Sequence, residues 1–164
     1  MDYSLLSIVP NVCSRIVIDG DPGSGKTTLA GEIANELGFK VVAFDDDKYL
    51  PRDGRPYLEQ LNYETLRNDI MASTTSMIIE GICALKVLAA VNARHDFHIF
   101  IKRYNGHFGW DFGRFLGGKA KPPHDKLWQE IVQYYKEFKP FDVCKLVLAR
   151  DILSGDPCWP IATR

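Results

Sequence analysis

Cysteine is scarce in this chain and badly spaced for pairing. Cys13, Cys83, Cys144 and Cys158 stand far apart, with no C-x-x-C among them. That pattern argues against a disulfide framework or a structural zinc site and reads as the reduced thiols of a cytoplasmic protein. Net charge is nearly absent too: 20 basic and 21 acidic residues leave a formal charge of −1. No global field therefore draws the chain to nucleic acid or to an acidic membrane. No apolar run is long enough to cross a bilayer, and Met1–Pro10 lacks the basic start of a signal peptide. His95, His98, His107 and His124 have no metal-ligand spacing. Repeats and low-complexity segments are missing as well. Apolar content is not: 46% of the 164 residues are hydrophobic, which suffices for the core of one domain spanning residues 1–164.

One motif stands out against this plain background. Gly20-Asp21-Pro22-Gly23-Ser24-Gly25-Lys26-Thr27 reads G-x-x-x-x-G-K-T, the phosphate-binding loop of P-loop NTPases. Its glycines let backbone N–H groups converge on phosphate oxygens where a Cβ would collide. Lys26 is expected to reach the β- and γ-phosphates, and the Thr27 hydroxyl to hold Mg²⁺. Asp21, Gly23, Ser24, Gly25 and Thr28 complete the expected nucleotide contacts. The flanks supply the context that the motif requires. Arg15–Asp19 reads as a buried strand. Thr27–Leu37 carries Leu29, Ala30, Ile33, Ala34 and Leu37 on one helical face, and Gly38 stands where a helix end favours positive φ.

The rest of the chain alternates in the same way. Strands are expected at Ile16–Asp19, Val41–Phe44, Met77–Ile79, Phe97–Ile101 and Leu146–Leu148, each nearly continuous in apolar residues, as parallel strands covered on both faces are. Helices are expected over Lys26–Leu37, Tyr63–Ala72, Leu85–Asn92 and Asp125–Phe138. The result is an α/β chain of βαβ units around a parallel sheet, in the three-layer P-loop NTPase arrangement with five strands ordered 2-3-1-4-5. Two stretches interrupt it, Asp45–Tyr57 and Tyr104–Pro123, and both should lie near the strand ends where ligands bind. The last ten residues, with Pro157 and Pro160, read as a tail over about 155–164.

Phosphoryl transfer needs metal ligands and a group that orients or deprotonates the acceptor. Asp45-Asp46-Asp47 follows the second strand, at the sheet edge shared with the phosphate loop. A carboxylate there accepts an acceptor's hydroxyl proton. Ser76-Met77-Ile78-Ile79-Glu80-Gly81 is a buried strand ending in an acid, placed to hold Mg²⁺.

With these residues the chain resembles the uridine kinase family and its relatives among small P-loop kinases. Asp19–Thr28 is similar to that family's phosphate loop, and Asp46-Asp47-Lys48-Tyr49-Leu50-Pro51 to its D-D-F-Y segment, with Lys48 in place of an aromatic. Ile78-Ile79-Glu80-Gly81-Ile82 resembles its E-G-I, and Gln133-Tyr134-Tyr135-Lys136-Glu137-Phe138-Lys139-Pro140 its Q-Y…K-P helix end. The resemblance implies an ATP-dependent kinase using Mg²⁺ and a small-molecule hydroxyl acceptor. Asp46 would be the acceptor-activating carboxylate, Tyr49 would line the acceptor pocket, and Thr27 and Glu80 would serve the metal.

The family's arginine-rich lid is thin here. The corresponding insertion, about 103–123, opens with Lys102-Arg103 and runs through His107, Phe108, Trp110 and Phe112 to Arg114. Arg103 and Arg114 are the expected stabilisers of transferred charge, with Lys119 and Lys121 behind them, and Arg55 is a candidate contact for an anionic acceptor. The acceptor stays open between a nucleoside and a nucleotide monophosphate, pantothenate or another sugar or alcohol. An ATPase or GTPase switch is the reading from another class, and a kinase that binds ATP without transfer is a third. Against a switch, the chain has no N-K-x-D guanine motif, and its third strand ends in Glu80 alone rather than an Asp-Glu pair.

Overall fold

The computed structural model describes residues 14–104, 125–151 and 157–163. Six strands and six helices follow one another within them. They are β1 (Arg15–Gly20), α1 (Lys26–Leu37), β2 (Lys40–Ala43), α2 (Tyr57–Gln60), α3 (Tyr63–Met71), β3 (Met77–Gly81), α4 (Ala84–Ala90), β4 (Phe97–Tyr104), α5 (Lys126–Phe138), α6 (Pro140–Val143), β5 (Leu146–Asp151) and β6 (Pro157–Thr163). The sheet runs β2-β3-β1-β4-β5-β6. Its first five strands are all parallel, in the expected order 2-3-1-4-5.

The alternation of a strand sorts the core into two layers. Ile16 and Ile18 of β1 pack with Leu29, Ala30 and Ile33 of α1. Val17 points to the opposite layer, with Val87 and Leu88 of α4 and Ile131, Tyr134 and Tyr135 of α5. Helix α1 covers the expected residues and stops at Gly38, whose φ of 69° lets its N–H close on Ala34 O. Helix α5 starts at Asp125, whose side chain accepts from Trp128 N, and ends at Lys139 before Pro140 opens α6.

Three departures from the sequence reading have physical causes. Residues 157–163 are not a free tail: β6 pairs antiparallel with β5, with an irregularity opposite Leu148. An edge strand presents unpaired backbone groups that such a segment satisfies, and Pro160 falls where the ladder is interrupted, as a strand proline must. Strand β4 runs on to Tyr104, because its backbone pairs with β5 as far as Asp151. The charges at Lys102 and Arg103 hide this in an apolarity pattern. Helix α2 has no local signal; the Glu130 carboxylate of α5 accepts Tyr57 N at 2.9 Å and Leu58 N at 3.0 Å and so caps its first turn.

Gly20 ends β1 at φ 148°, and a Cβ there would lie 2.2 Å from the backbone oxygen of Ile101 in β4. Neither atom belongs to a flexible side chain. Gly20→Ala is expected to cost roughly 3 kcal/mol, combining overpacking with backbone strain. Thermal unfolding should then shift down by about 10 °C, and an unchanged melting temperature would show that the two strands separate freely at this point.

Candidate functional site

The turn from β1 to α1 is built around the Asp21 carbonyl. Asp21 O accepts Ser24 N at 3.1 Å and Lys26 Nζ at 2.9 Å. Gly23 and Gly25 take φ of 68° and 88°, the left-handed backbone that glycine adopts without penalty. Gly25 opens α1, and no side chain caps that helix. Its first N–H groups are left for an anion, at the positive end of the helix dipole. Ser24 Oγ is buried with no hydrogen-bond partner among the described residues. A buried hydroxyl of this kind calls for a ligand group or water.

Lys26 is only 6% exposed. Burial pushes its ammonium below the ordinary range, against the opposing pull of Glu80, Asp19, Asp45 and Asp21. The Thr27 hydroxyl donates to Glu80 Oε1 at 2.8 Å. Glu80, at the end of β3, is likewise buried; burial pushes its carboxyl up, while Thr27 and Lys26 hold it back. A cavity of about 340 Å³ opens over this group, lined by Pro22, Gly23, Gly25, Lys26, Thr27 and Thr28 and completed by Asp45 and Ile82.

Asp45 therefore meets the loop, and Asp46 does not. Phe44 N donates to Glu80 O at 2.9 Å, so the chain leaves β2 beside the end of β3 and delivers Asp45 there. The exposed Asp46 carboxylate instead accepts its own turn's Lys48 N at 2.9 Å. Tyr49 is turned away too: its ring is buried and its hydroxyl donates to Asp69 of α3 at 2.6 Å. Arg55 folds onto its own segment, bonding Asp53 Oδ2 and Glu59 O. Arg103 occupies β4 opposite Arg150 of β5. Arg114, His107, Lys119, Lys121 and the lid from residue 105 to 123 lie outside the described residues.

Sequence reasoning gave Asp19, Tyr134, Tyr135 and His98 no role at the site and read Asp21 only as a nucleotide contact. Asp19 and Asp21, on either side of Gly20, are fully buried. Asp19 Oδ1 accepts Gly20 N at 2.7 Å and Ala84 N at 3.4 Å, and its Oδ2 accepts the Tyr134 hydroxyl. The Tyr135 hydroxyl donates to Asp21 Oδ1. His98 Nε2 lies 3.7 Å from Asp19 Oδ2. An acid ending a buried strand was the available clue to Asp19. Nothing local points from two tyrosines of α5 to a loop more than a hundred residues earlier.

No protein-family model and no curated protein matches this chain. Solved structures do. The structure of a possible uridine kinase from Bacillus stearothermophilus superposes with a TM-score of 0.51 at 19% identity, covering 87% of this chain and 91% of that one. A shikimate kinase from Aquifex aeolicus gives a TM-score of 0.48 at 19% identity, covering 76% and 80%. A gluconokinase from Sinorhizobium meliloti gives 0.43 at 14% identity, covering 85% and 82%. At such identities the likeness is one of fold: the chain has the architecture of the possible uridine kinase.

Proposed function

We propose that this protein is an ATP-dependent phosphotransferase that moves the γ-phosphoryl group to a hydroxyl of a small metabolite, in the manner of a uridine kinase. One observation carries the reading: Lys26, Thr27 and Asp45 line a single cavity at the uncapped start of α1, and Glu80 is hydrogen-bonded to Thr27 behind it. The loop's backbone N–H groups and Lys26 hold the phosphates. Mg²⁺ fits the Thr27 hydroxyl and Glu80 carboxylate, two hard oxygen donors that leave the remaining positions to water and phosphate. The described residues offer no cluster of three or more acids, histidines or cysteines for an all-protein cage. Held there, the ion would offset the negative charge of the phosphates.

Asp45 takes over the role expected of Asp46, accepting the proton of the attacking hydroxyl. Arg103 and Arg114 remain the proposed charge stabilisers, and Tyr49 and Arg55 stand outside the cavity lining. The buried Cys83 thiol suits a reducing, cytoplasmic setting.

The test is acceptor-dependent release of ADP from Mg-ATP. Uridine, shikimate, gluconate and nucleoside monophosphates form the panel, with product phosphorylation followed directly. Transfer to one of them supports the proposal, and the preferred one names the acceptor class. Nucleotide hydrolysis that no acceptor accelerates would sink the kinase reading in favour of an ATPase.

A further inference from the structure

A carboxylate is an odd neighbour for a loop that must hold an anion. Asp21 nevertheless stands inside the phosphate loop and is fully buried. A buried charge persists only where hydrogen bonds compensate it, and here a phenol supplies one: the Tyr135 hydroxyl donates to Asp21 Oδ1. The donor is held firmly. Tyr135 is 2% exposed, and its ring meets Phe100 and Phe141 edge-on at centroid distances of 5.7 and 6.1 Å. Burial and the charges of Asp21 and Asp19 push the phenol far above its usual range, so it keeps its proton.

The same residue carries the loop's central acceptor. Asp21 O takes hydrogen bonds from both Ser24 N and Lys26 Nζ. Anchoring the Asp21 side chain therefore fixes the peptide that shapes the turn and seats the lysine. Tyr135 belongs to α5, the helix whose Tyr134 holds Asp19 and whose Glu130 caps α2. Two adjacent phenols thus grip the two residues that flank Gly20.

We infer that Tyr135 is a positioning residue for nucleotide binding: through Asp21 it holds the phosphate loop and Lys26 in the geometry that receives the phosphates. The inference rests on the nucleotide-binding part of the proposed function and requires no transfer to any acceptor. Tyr135→Phe keeps the ring and its packing and removes only the hydroxyl.

The experiment is calorimetric titration of Mg-ATP into the full chain, the Tyr135→Phe and Asp21→Ala variants, and the double variant, with melting temperatures measured alongside. Displacing a binding loop by a fraction of an ångström costs about tenfold in affinity, so Tyr135→Phe is expected to raise the Kd by about that factor. In the Asp21→Ala background the same change should add less than about twofold, because the link is already cut. A purely structural tyrosine would lower the melting temperature and leave the Kd within about twofold, which overturns the inference. So does an undiminished tenfold effect in the Asp21→Ala background. If Tyr135→Phe does not fold, Asp21→Ala alone decides: an unaltered Kd overturns the inference, and a loss of about tenfold supports it. A wild-type chain that binds no Mg-ATP ends both this inference and the nucleotide reading, whereas binding without transfer ends only the kinase reading.

Discussion

Asp45→Asn is expected to lower kcat by about 10²–10⁴-fold, the range that a positioned general base contributes, while Asp46→Asn stays within a few-fold of wild type. The two residues are adjacent, so the contrast tests geometry rather than composition. Asp45 lines the cavity with Lys26 and Thr27. Asp46 faces solvent and accepts the Lys48 amide of its own turn. Their difference begins at Phe44, whose N–H bonds Glu80 O and extends the β2–β3 ladder by one residue. Beyond it the strand ends in a turn that Asp46 N closes on Ala43 O at 3.1 Å, and of the two exposed carboxylates only that of Asp45 lines the cavity. Burial first, and the Asp45 charge after it, push the Tyr57 hydroxyl up.

Steady-state kinetics with the preferred acceptor, alongside Mg-ATP binding, checks the contrast. Asp45→Asn should retain nucleotide affinity, because asparagine keeps the side chain's shape and removes only its charge. The opposite pattern, with Asp46→Asn inactive and Asp45→Asn active, would return the base to Asp46 and require the turn at 45–48 to rearrange when the acceptor binds.

Lys26→Met is expected to reduce kcat/KM by about 10²–10³-fold, the usual loss when one preorganised electrostatic group is removed from a phosphoryl-transfer site. Stability should fall as well. The Lys26 ammonium lies within the influence of Glu80, Asp19, Asp45 and Asp21, and removing one partner of a buried charge pair leaves the other uncompensated. The sign of the pH dependence follows from Glu80. Burial raises its carboxyl above the ordinary 4.5, and Lys26 partly offsets that rise. Without Lys26 the folded-state value climbs further. A raised carboxyl contributes stability that is fully present below 4.5 and is lost as pH rises through the folded value. The deficit in melting temperature of Lys26→Met should therefore be largest at pH 8 and shrink toward pH 5. Melting curves across that interval check it; a deficit that grows toward acid would mean that another group, not Glu80, carries the uncompensated charge.

Much of this architecture was readable from local chemistry. Helix α1 spans the residues that its periodicity marks, because Gly25 and Gly38 bound it with positive-φ backbone that few other residues accept. Strands β1 and β3 read as continuous apolar runs because both faces of a parallel sheet are covered. Glycine, lysine and threonine at fixed spacing announced the phosphate cradle because that chemistry is confined to one turn. Strand β6 was not legible, since its pairing satisfies the backbone of β5 rather than any pattern in its own side chains. Helix α2 was not legible either, because its cap is a glutamate 72 and 73 residues away in the chain.

By itself, the sequence determined that this chain carries a G-x-x-x-x-G-K-T turn on a parallel α/β sheet, with acids at the ends of its second and third strands. Those features rest on interactions within a few residues, which spacing records. Only the tertiary structure decided which acid of the Asp45–Asp47 run reaches the loop, that Tyr49 turns to Asp69, and that Tyr134 and Tyr135 grip the residues flanking Gly20. Each of these is a contact between separate elements. It depends on strand register, on helix docking and on the need to compensate buried charge, and none of the three is written in the spacing of neighbouring residues.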